Sequence, residues 1–377
     1  MTRTLDILDR LVGFDTVSAR TNLPLIAYVE DILRTRGFRV TRLDDPEEEK
    51  AGLYAEIGPA GPGILLSAHS DVVPVEGQVW STDPFRLTRQ GDRLHGRGTT
   101  DMKGFVAAML AAADAASRMP LREPLKLVLS YDEEVGCTGI ARMLDRLLPL
   151  IGHPRMAIVG EPTEMRVATG HKGKRAFRAR FKGEAGHSAL APRFVNALNV
   201  AAEFLVALQA LQKDLERNGA RDEGYDIPYS TVHFGTLSGG RALNIVPDHA
   251  EASFEFRHLA ADDPDTLFDR IDRAAQEVCA RYGPGAGIEI APLAGYPGLD
   301  TPSDSETVRF VETLAGAGRT KVAFGTEAGF FDGQGIPTVV CGPGSMEAQG
   351  HKADEFIHAG ELARCDAMLA RLLERMQ

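Results

Sequence analysis

The sequence predicts an α/β fold with a central mixed sheet flanked by helices, and a smaller α+β, ferredoxin-like domain inserted into it. Three observations carry this reading. Short apolar runs that end in a His or a carboxylate alternate with helical periodicity through the first 160 or so residues, which is the pattern of a layered sheet with crossover helices. From Lys174 to about Ile290 the order changes to β-α-β-β-α, which suits a small antiparallel sheet. The α/β character then returns in Val339-Val340-Cys341 and a closing helical stretch, Ala359 to Met376. Residues 1–173 and 291–377 are therefore expected to form one domain, with 174–290 inserted.

Residues 4 to 36 carry apolar side chains at helical spacing, broken near Gly13 and Pro24, so two helices fit. Val40 to Leu43 and Leu53 to Ile57 read as strands. Ile64-Leu65-Leu66-Ser67-Ala68 reads as a buried parallel strand that presents His69 at its carboxyl end. Phe105 to Ala116 is an Ala-rich helix beginning just after Gly104. Leu125 to Ser130 is a strand leading to Asp132-Glu133-Glu134, Gly139 to Leu148 is helical, and Met156 to Val159 is a strand leading to Gly160-Glu161. In the inserted stretch, strands are expected at Arg175 to Phe181, Ser230 to Leu237 and Ala250 to Arg257. Helices are expected at Asn196 to Asn218 and Asp263 to Tyr282.

The chain has 377 residues, 44% hydrophobic and 25% charged, which is ordinary for a globular protein and excludes a fibre or a disordered chain. A net charge of −11 argues against nucleic acid or an anionic membrane surface as partner. The first residues are charged where a signal peptide needs an apolar run, and no stretch has the apolar length of a membrane span. The four cysteines, Cys137, Cys279, Cys341 and Cys365, are scattered without metal-binding spacing and read as reduced thiols in a cytoplasmic protein. Cys137 lies close to the Glu133-Glu134 pair but reads as a buried bystander.

Five segments hold the chemistry. His69 and Asp71 are two apart, so on an extended backbone their side chains share a side, and the carboxylate can orient the imidazole. Asp101 lies in a Gly-bounded loop; alone it reads as a helix cap, but a carboxylate can also bridge two metal ions. Glu133 and Glu134 are adjacent after a strand, where at least one needs a cation or a proton; alone, a solvated acidic turn is the simpler reading. Glu161 lies between Gly160 and Pro162, and His351 lies in a polar loop near the C-terminus. Each is weak alone. Together, imidazole and carboxylate without thiolate form the ligand set of a hydrolytic zinc centre for two ions.

Three stretches carry a specific resemblance: Ser67 to Pro74, Gly96 to Gly104, and Tyr131 to Gly136. They resemble the dinuclear zinc amidohydrolase and peptidase family that includes aminoacylase, carboxypeptidase G, succinyl-diaminopimelate desuccinylase and acetylornithine deacetylase. The resemblance covers essentially the whole chain. Three further stretches, Val159 to Gly173, Cys341 to Ser345 and His351 to Phe356, are most similar to its acetylornithine deacetylase branch.

That resemblance implies two zinc ions, with cobalt as a possible substitute. One would be held by His69, Asp101 and Glu161 and the other by Asp101, Glu134 and His351, with Glu133 as general base and Asp71 orienting His69. It implies a cis peptide bond after Asp101. It also implies a homodimer through the inserted domain, which would act as a lid and send His187 into the partner subunit's site to stabilise an oxyanion. Asn244 would line the substrate pocket, Arg257 would pair with a substrate α-carboxylate, and Glu327 would face a cationic side-chain amine. The implied reaction is hydrolysis of the N-acetyl amide of N2-acetyl-L-ornithine, a step of arginine biosynthesis. Acetylcitrulline, succinyl-diaminopimelate, a broad range of acyl amino acids, and a non-catalytic binding role stay open at this point.

Overall fold

The computed structural model describes residues 3–377 and divides into two compact units. The first comprises the described residues up to His171, Leu299–Val322 and Thr326–Gln377; the second comprises Lys172–Gly298 and Ala323–Gly325. The sequence boundary at 290/291 falls inside a strand, Gly287–Tyr296, so it needs correction on that side. Pro292 and Gly295 disguise this strand. The register slips between Pro292 and Ala294, where proline's missing N–H is tolerated at an irregularity on an edge strand.

The first unit is built on a nine-stranded mixed sheet among the described residues. Its order is Arg39–Asp44, Ala51–Ile57, Leu125–Ser130, Ile64–His69, Met156–Pro162, Thr338–Gly342, Val167–His171 and Leu299–Asp300, with Arg319–Val322 also pairing to Val167–His171. The central strands run parallel: Ile64–His69 lies between Leu125–Ser130 and Met156–Pro162, and Thr338–Gly342 pairs parallel with Met156–Pro162. His69 is in register with Ser130, so the carboxyl ends of these strands deliver His69, Glu133, Glu134 and Glu161 along one edge of the sheet.

Both faces of that sheet are covered, which is why its central strands read as unbroken apolar runs. On one face Leu66, Leu127, Ile158 and Val339 join a core with helices Arg3–Val12, Leu23–Thr35, Lys103–Ala116 and Ala359–Arg375. The alternate residues, Leu65, Val128 and Val159, point to the other face and are equally buried. Lys103–Ala116 is buried almost all round, since its Ala-rich sequence allows the sheet and three other helices to approach closely. A second, three-stranded sheet was not legible in the sequence. It joins Phe356–His358 to Arg93–His95 and Thr88–Gln90, and pairs Phe356 with His95. This brings the C-terminal segment around residue 355 against the loop at residues 96–104.

The second unit is a four-stranded antiparallel sheet in the order Thr231–Gly239, His249–His258, Gly173–Lys182, Gly287–Tyr296. Helices Ala197–Asn218 and Pro264–Tyr282 pack on it around Phe177, Phe181, Phe204, Phe254 and Phe256. The chain order is β-α-β-β-α-β, completed by the strand Gly287–Tyr296.

Gly160 is a packing constraint beside Glu161. A Cβ there would lie 2.0 Å from the ring of Phe105, which is buried in the core. Gly160→Ala is expected to destabilise the fold by roughly 1–3 kcal/mol, as overpacked cores do. The urea midpoint of the variant checks this; an unchanged midpoint would contradict the contact.

Candidate metal centre

Asp101 sits where the loop at residues 96–102 enters the helix Lys103–Ala116, and the Asp101–Met102 peptide bond is cis. Its carboxylate does not cap that helix, whose N-cap Met102 has no side-chain hydrogen bond. Instead Oδ1 lies 3.3 Å from His69 Nε2 and Oδ2 lies 3.3 Å from His351 Nε2. The two halves of the site share this one carboxylate. Glu161 Oε1 adds to the first half, 3.6 Å from His69 Nε2, and Glu134 Oε2 to the second, 3.0 Å from His351 Nε2. Ligand-capable atoms of His69, Asp101 and Glu134, and separately of His69, Glu133 and Glu161, lie within 4.8 Å of one another. The five residues singled out as metal ligands, together with Glu133, therefore meet in the first unit although the chain separates them widely.

Asp71 faces His69 with both its backbone and its side chain. The nearer acceptor of His69 Nδ1 is the Asp71 backbone carbonyl at 3.0 Å; the carboxylate Oδ1 is 3.5 Å away. The carboxylate also accepts from the backbone N–H groups of Glu133 and Glu134, at 3.1 and 3.2 Å, and from Ser18 Oγ at 2.7 Å. It thus holds the turn that carries the glutamate pair. Cys137 is buried as expected, but its thiol donates to Glu133 Oε1 at 3.3 Å, so it adjoins the site.

Glu355 stands out in the sequence only as part of the stretch His351 to Phe356. Its buried carboxylate accepts from the N–H groups of Gly98, Thr100 and Asp101 and pairs with Arg97 at 2.7 Å. Three backbone donors converging on one carboxylate explain how a Gly-rich loop is held in one shape. Only the acidic character of the segment around 354–355 signalled it.

Glu327 is also in this unit. It is buried, accepts a short hydrogen bond from Ser130 Oγ, and its Oε2 has no hydrogen-bond partner. The other expected residues are in the second unit. His187 is exposed, and its Nδ1 accepts from the N–H of Ala189 at 3.1 Å. Asn244 is nearby and exposed, its carbonyl accepting from Ser188 N–H. Arg257 is partly buried and pairs with Glu255 at 3.0 Å.

The electrostatics of the cluster call for positive charge. Desolvation pushes Glu133 up to about 8, aided by Asp101, Glu327 and Asp71 against the pull of His69. Desolvation and Asp101 do the same to Glu134, also to about 8. Burial raises Glu161 well above its usual range and Glu327 to about 7. For Asp101 burial is outweighed by hydrogen bonds from His351 and His69, which hold it low. His351 is driven up to about 10 by Asp101 and Glu134. Moreover, Oε1 of Glu134 and Oε1 of Glu161 are buried without any hydrogen-bond partner. With the Nδ1–H of His69 directed at the Asp71 carbonyl, its Nε2 edge faces carboxylate oxygens, a place for a cation or a proton. The donor set of carboxylate and imidazole fits divalent metal ions.

A cluster of this kind, at the carboxyl edge of a parallel α/β sheet, defines a metal-dependent hydrolase. The sequence model described as Peptidase family M20/M25/M40 matches residues 65–375, and the chain belongs to that family, as a metal-dependent amidohydrolase acting on linear amides. It is 37% identical over 375 residues to acetylornithine deacetylase of Myxococcus xanthus, covering 97% of this chain and 95% of the relative. It is 33% identical over 377 residues to acetylornithine deacetylase of Erwinia tasmaniensis, covering 98% and 96%. The solved structure of an M20 family metallo-carboxypeptidase from Sulfolobus solfataricus shares the fold with a TM-score of 0.82 at 20% identity, covering 99% of both chains. That of a dinuclear metal binding peptidase of the same family from Bacillus subtilis shares it with a TM-score of 0.71 at 16% identity, covering 100% and 98%. Among the described residues no helix is long and apolar enough to cross a membrane.

The raised glutamates give the metal-free protein a defined pH dependence. Glu133, Glu134 and Glu327, ordinarily at 4.5, hold their protons more tightly when folded. Their contribution is complete below about pH 4.5 and is lost as pH rises through 7 to 8; His351 has the same sign, lost as pH rises from 6.5 through about 10. The thermal midpoint of metal-free protein is therefore expected to fall as pH rises from about 5 to about 8, and saturating divalent metal to abolish the fall. A flat metal-free profile would contradict the cluster's electrostatics.

Proposed function

We propose that the protein hydrolyses the N-acetyl amide of N2-acetyl-L-ornithine, releasing ornithine and acetate, with two zinc ions per subunit. The observation that most supports two ions is the shared carboxylate of Asp101, one oxygen toward His69 and the other toward His351. The substrate is supported by the relatives named acetylornithine deacetylase, 31–37% identical over nearly the whole chain.

His69, Asp101 and Glu161 would hold one ion and Asp101, Glu134 and His351 the other. When bound, the ions supply Lewis-acid polarisation of the acyl carbonyl and acidify an adjacent water. The chain's own residues do the rest. Glu133 takes a proton from the attacking water and returns it to the departing amine nitrogen, so one carboxylate serves as base and then acid. Its contact with Cys137 and the hold of Asp71 on its backbone N–H keep it oriented. The partner subunit's His187 donates to the developing oxyanion in a homodimer formed through the second unit, Lys172–Gly298 and Ala323–Gly325. Arg257 pairs with the substrate carboxylate and Asn244 lines its pocket. Glu327 reads the side-chain amine, a role supported by its partnerless Oε2. Zinc as the native metal, with cobalt able to replace it, and a place in arginine biosynthesis in the cytoplasm complete the proposal.

A substrate panel tests it. Zinc-loaded protein should give its highest kcat/KM on N2-acetyl-L-ornithine, above N-acetylcitrulline and N-succinyl-diaminopimelate. In the same assay Glu133→Gln should keep its metal and lose at least about 100-fold in kcat. Higher turnover on another member of the panel would replace the substrate, and a fully active Glu133→Gln would remove Glu133 as the base.

A further inference from the structure

We propose that Gln78 is the positioning residue for His351, its side-chain amide fixing the half of the metal centre that His351 completes. The inference rests on the two-ion reading above and adds a residue to it.

His351 differs from the other ligands of that reading. The side chains of His69, Asp101, Glu134 and Glu161 are at most 5% exposed, whereas that of His351 is 53% exposed. Strand ends and the loop entering a buried helix deliver the other four. His351 lies in a loop between the short helix Met346–Gln349 and the strand Phe356–His358, with a left-handed φ of 61°. Core packing does not hold its ring; its contacts with Asp101 and Glu134, together with hydrogen bonds to its backbone, do.

Gln78 supplies one such bond. Its Nε2 donates to the His351 carbonyl at 2.8 Å. The other end of the same amide is fixed from two directions: Oε1 accepts from Arg97 Nη2 at 2.6 Å and from Trp80 Nε1 at 3.2 Å. Two donors on Oε1 determine which end of the amide faces His351. Arg97 is a rigid anchor. It is 1% exposed, paired with Glu355, set 5.0 Å from the Trp80 ring, and donates also to the Lys352 carbonyl. Alongside, Ser81 gives its N–H and hydroxyl to Asp354 Oδ1 at 2.7 and 3.0 Å. The loop at residues 75–81 is thus zipped to the loop at 351–355, and the buried guanidinium of Arg97 reaches His351 through one amide. The side-chain hydrogen bonds of Gln78 go to His351, Arg97 and Trp80, so it acts on the site through His351.

Outer groups that orient a metal ligand typically change affinity by about 10- to 100-fold when removed. Losing the Nε2 donor frees the His351 carbonyl to turn toward water and lets the imidazole leave Asp101 and Glu134. The ion held by His69, Asp101 and Glu161 takes no ligand from residue 351.

The test is a Zn2+ titration of metal-free protein against a chromophoric chelator, comparing wild type with Gln78→Met and Gln78→Glu. Methionine keeps the bulk and removes both the donor and the strong acceptor. Glutamate keeps an acceptor for Arg97 and Trp80 and removes only the donor to His351. Trp80, the one tryptophan of the chain, gives a second signal through its fluorescence. Both variants should take up the first ion with wild-type affinity and the second at least about tenfold more weakly, and Gln78→Glu should keep the wild-type thermal midpoint when metal-free. Wild-type affinity for both ions in both variants overturns the proposal, as does equal weakening of the two. A Gln78→Glu variant that behaves as wild type beside a weakened Gln78→Met also overturns it, since the role would then be to hold Arg97. If wild type itself takes up fewer than two ions, the two-ion reading falls and the proposal with it. The wild-type titration thus separates the two failures.

Discussion

The structure of the first unit depends on crowding carboxylates into a space that water alone cannot neutralise. Asp101 touches both imidazoles, and Glu133, Glu134 and Glu161 surround it with further acid groups. Like charges at this spacing cannot all remain ionised in a poorly solvated site without cations or protons among them. Two glutamates accordingly hold protons up to about pH 8 when no metal balances them, and two buried glutamate oxygens find no hydrogen-bond partner. Such an arrangement is costly as a structural device. It becomes favourable when divalent ions occupy it, which couples the integrity of the site to the metal.

Around this cluster the remaining residues solve a positioning problem. The parallel strands place His69 and Glu161 by register alone. The turn bearing Glu133 and Glu134 has no such support and is held by the Asp71 carboxylate, which Ser18 in turn orients. The Asp101 loop is held by Glu355, and Glu355 by Arg97. Each piece of irregular backbone that carries a ligand is thus tied to a buried charged side chain. Rigid support of this kind is what a multi-ligand site requires, because small displacements of one donor weaken the whole.

Much of this was legible in the sequence, and the parts that were not have physical causes. Strands such as Ile64–His69 and Leu125–Ser130 announce themselves because they are buried on both faces and so lack polar interruptions. Helix Pro264–Tyr282 shows its Asp263 cap. Strand Gly287–Tyr296 is hidden in the sequence because Pro292 and Gly295 interrupt its pattern, and the hairpin at residues 88–95 because three-residue strands carry no period. The candidate ligand residues could be picked out as chemistry-bearing types at strand ends and by their resemblance to a known family. The supports could not. Glu355, Arg97, Ser18 and Gln78 lie in loops, and their importance comes from contacts across more than fifty positions of chain or within turns that sequence does not encode by period. Asp71 shows the same limit: its spacing from His69 suggests the carboxylate beside the imidazole, but not the hold of that carboxylate on the backbone of the glutamate turn.

The account turns on Asp101 as a carboxylate shared by two ions. Equilibrium dialysis of metal-free wild type and Asp101→Ala against Zn2+, followed by elemental analysis, tests that directly. The account predicts two ions per wild-type chain and a loss of affinity at both positions in the variant. An Asp101→Ala chain that keeps two ions at wild-type affinity, or a wild-type chain that binds none, would contradict it.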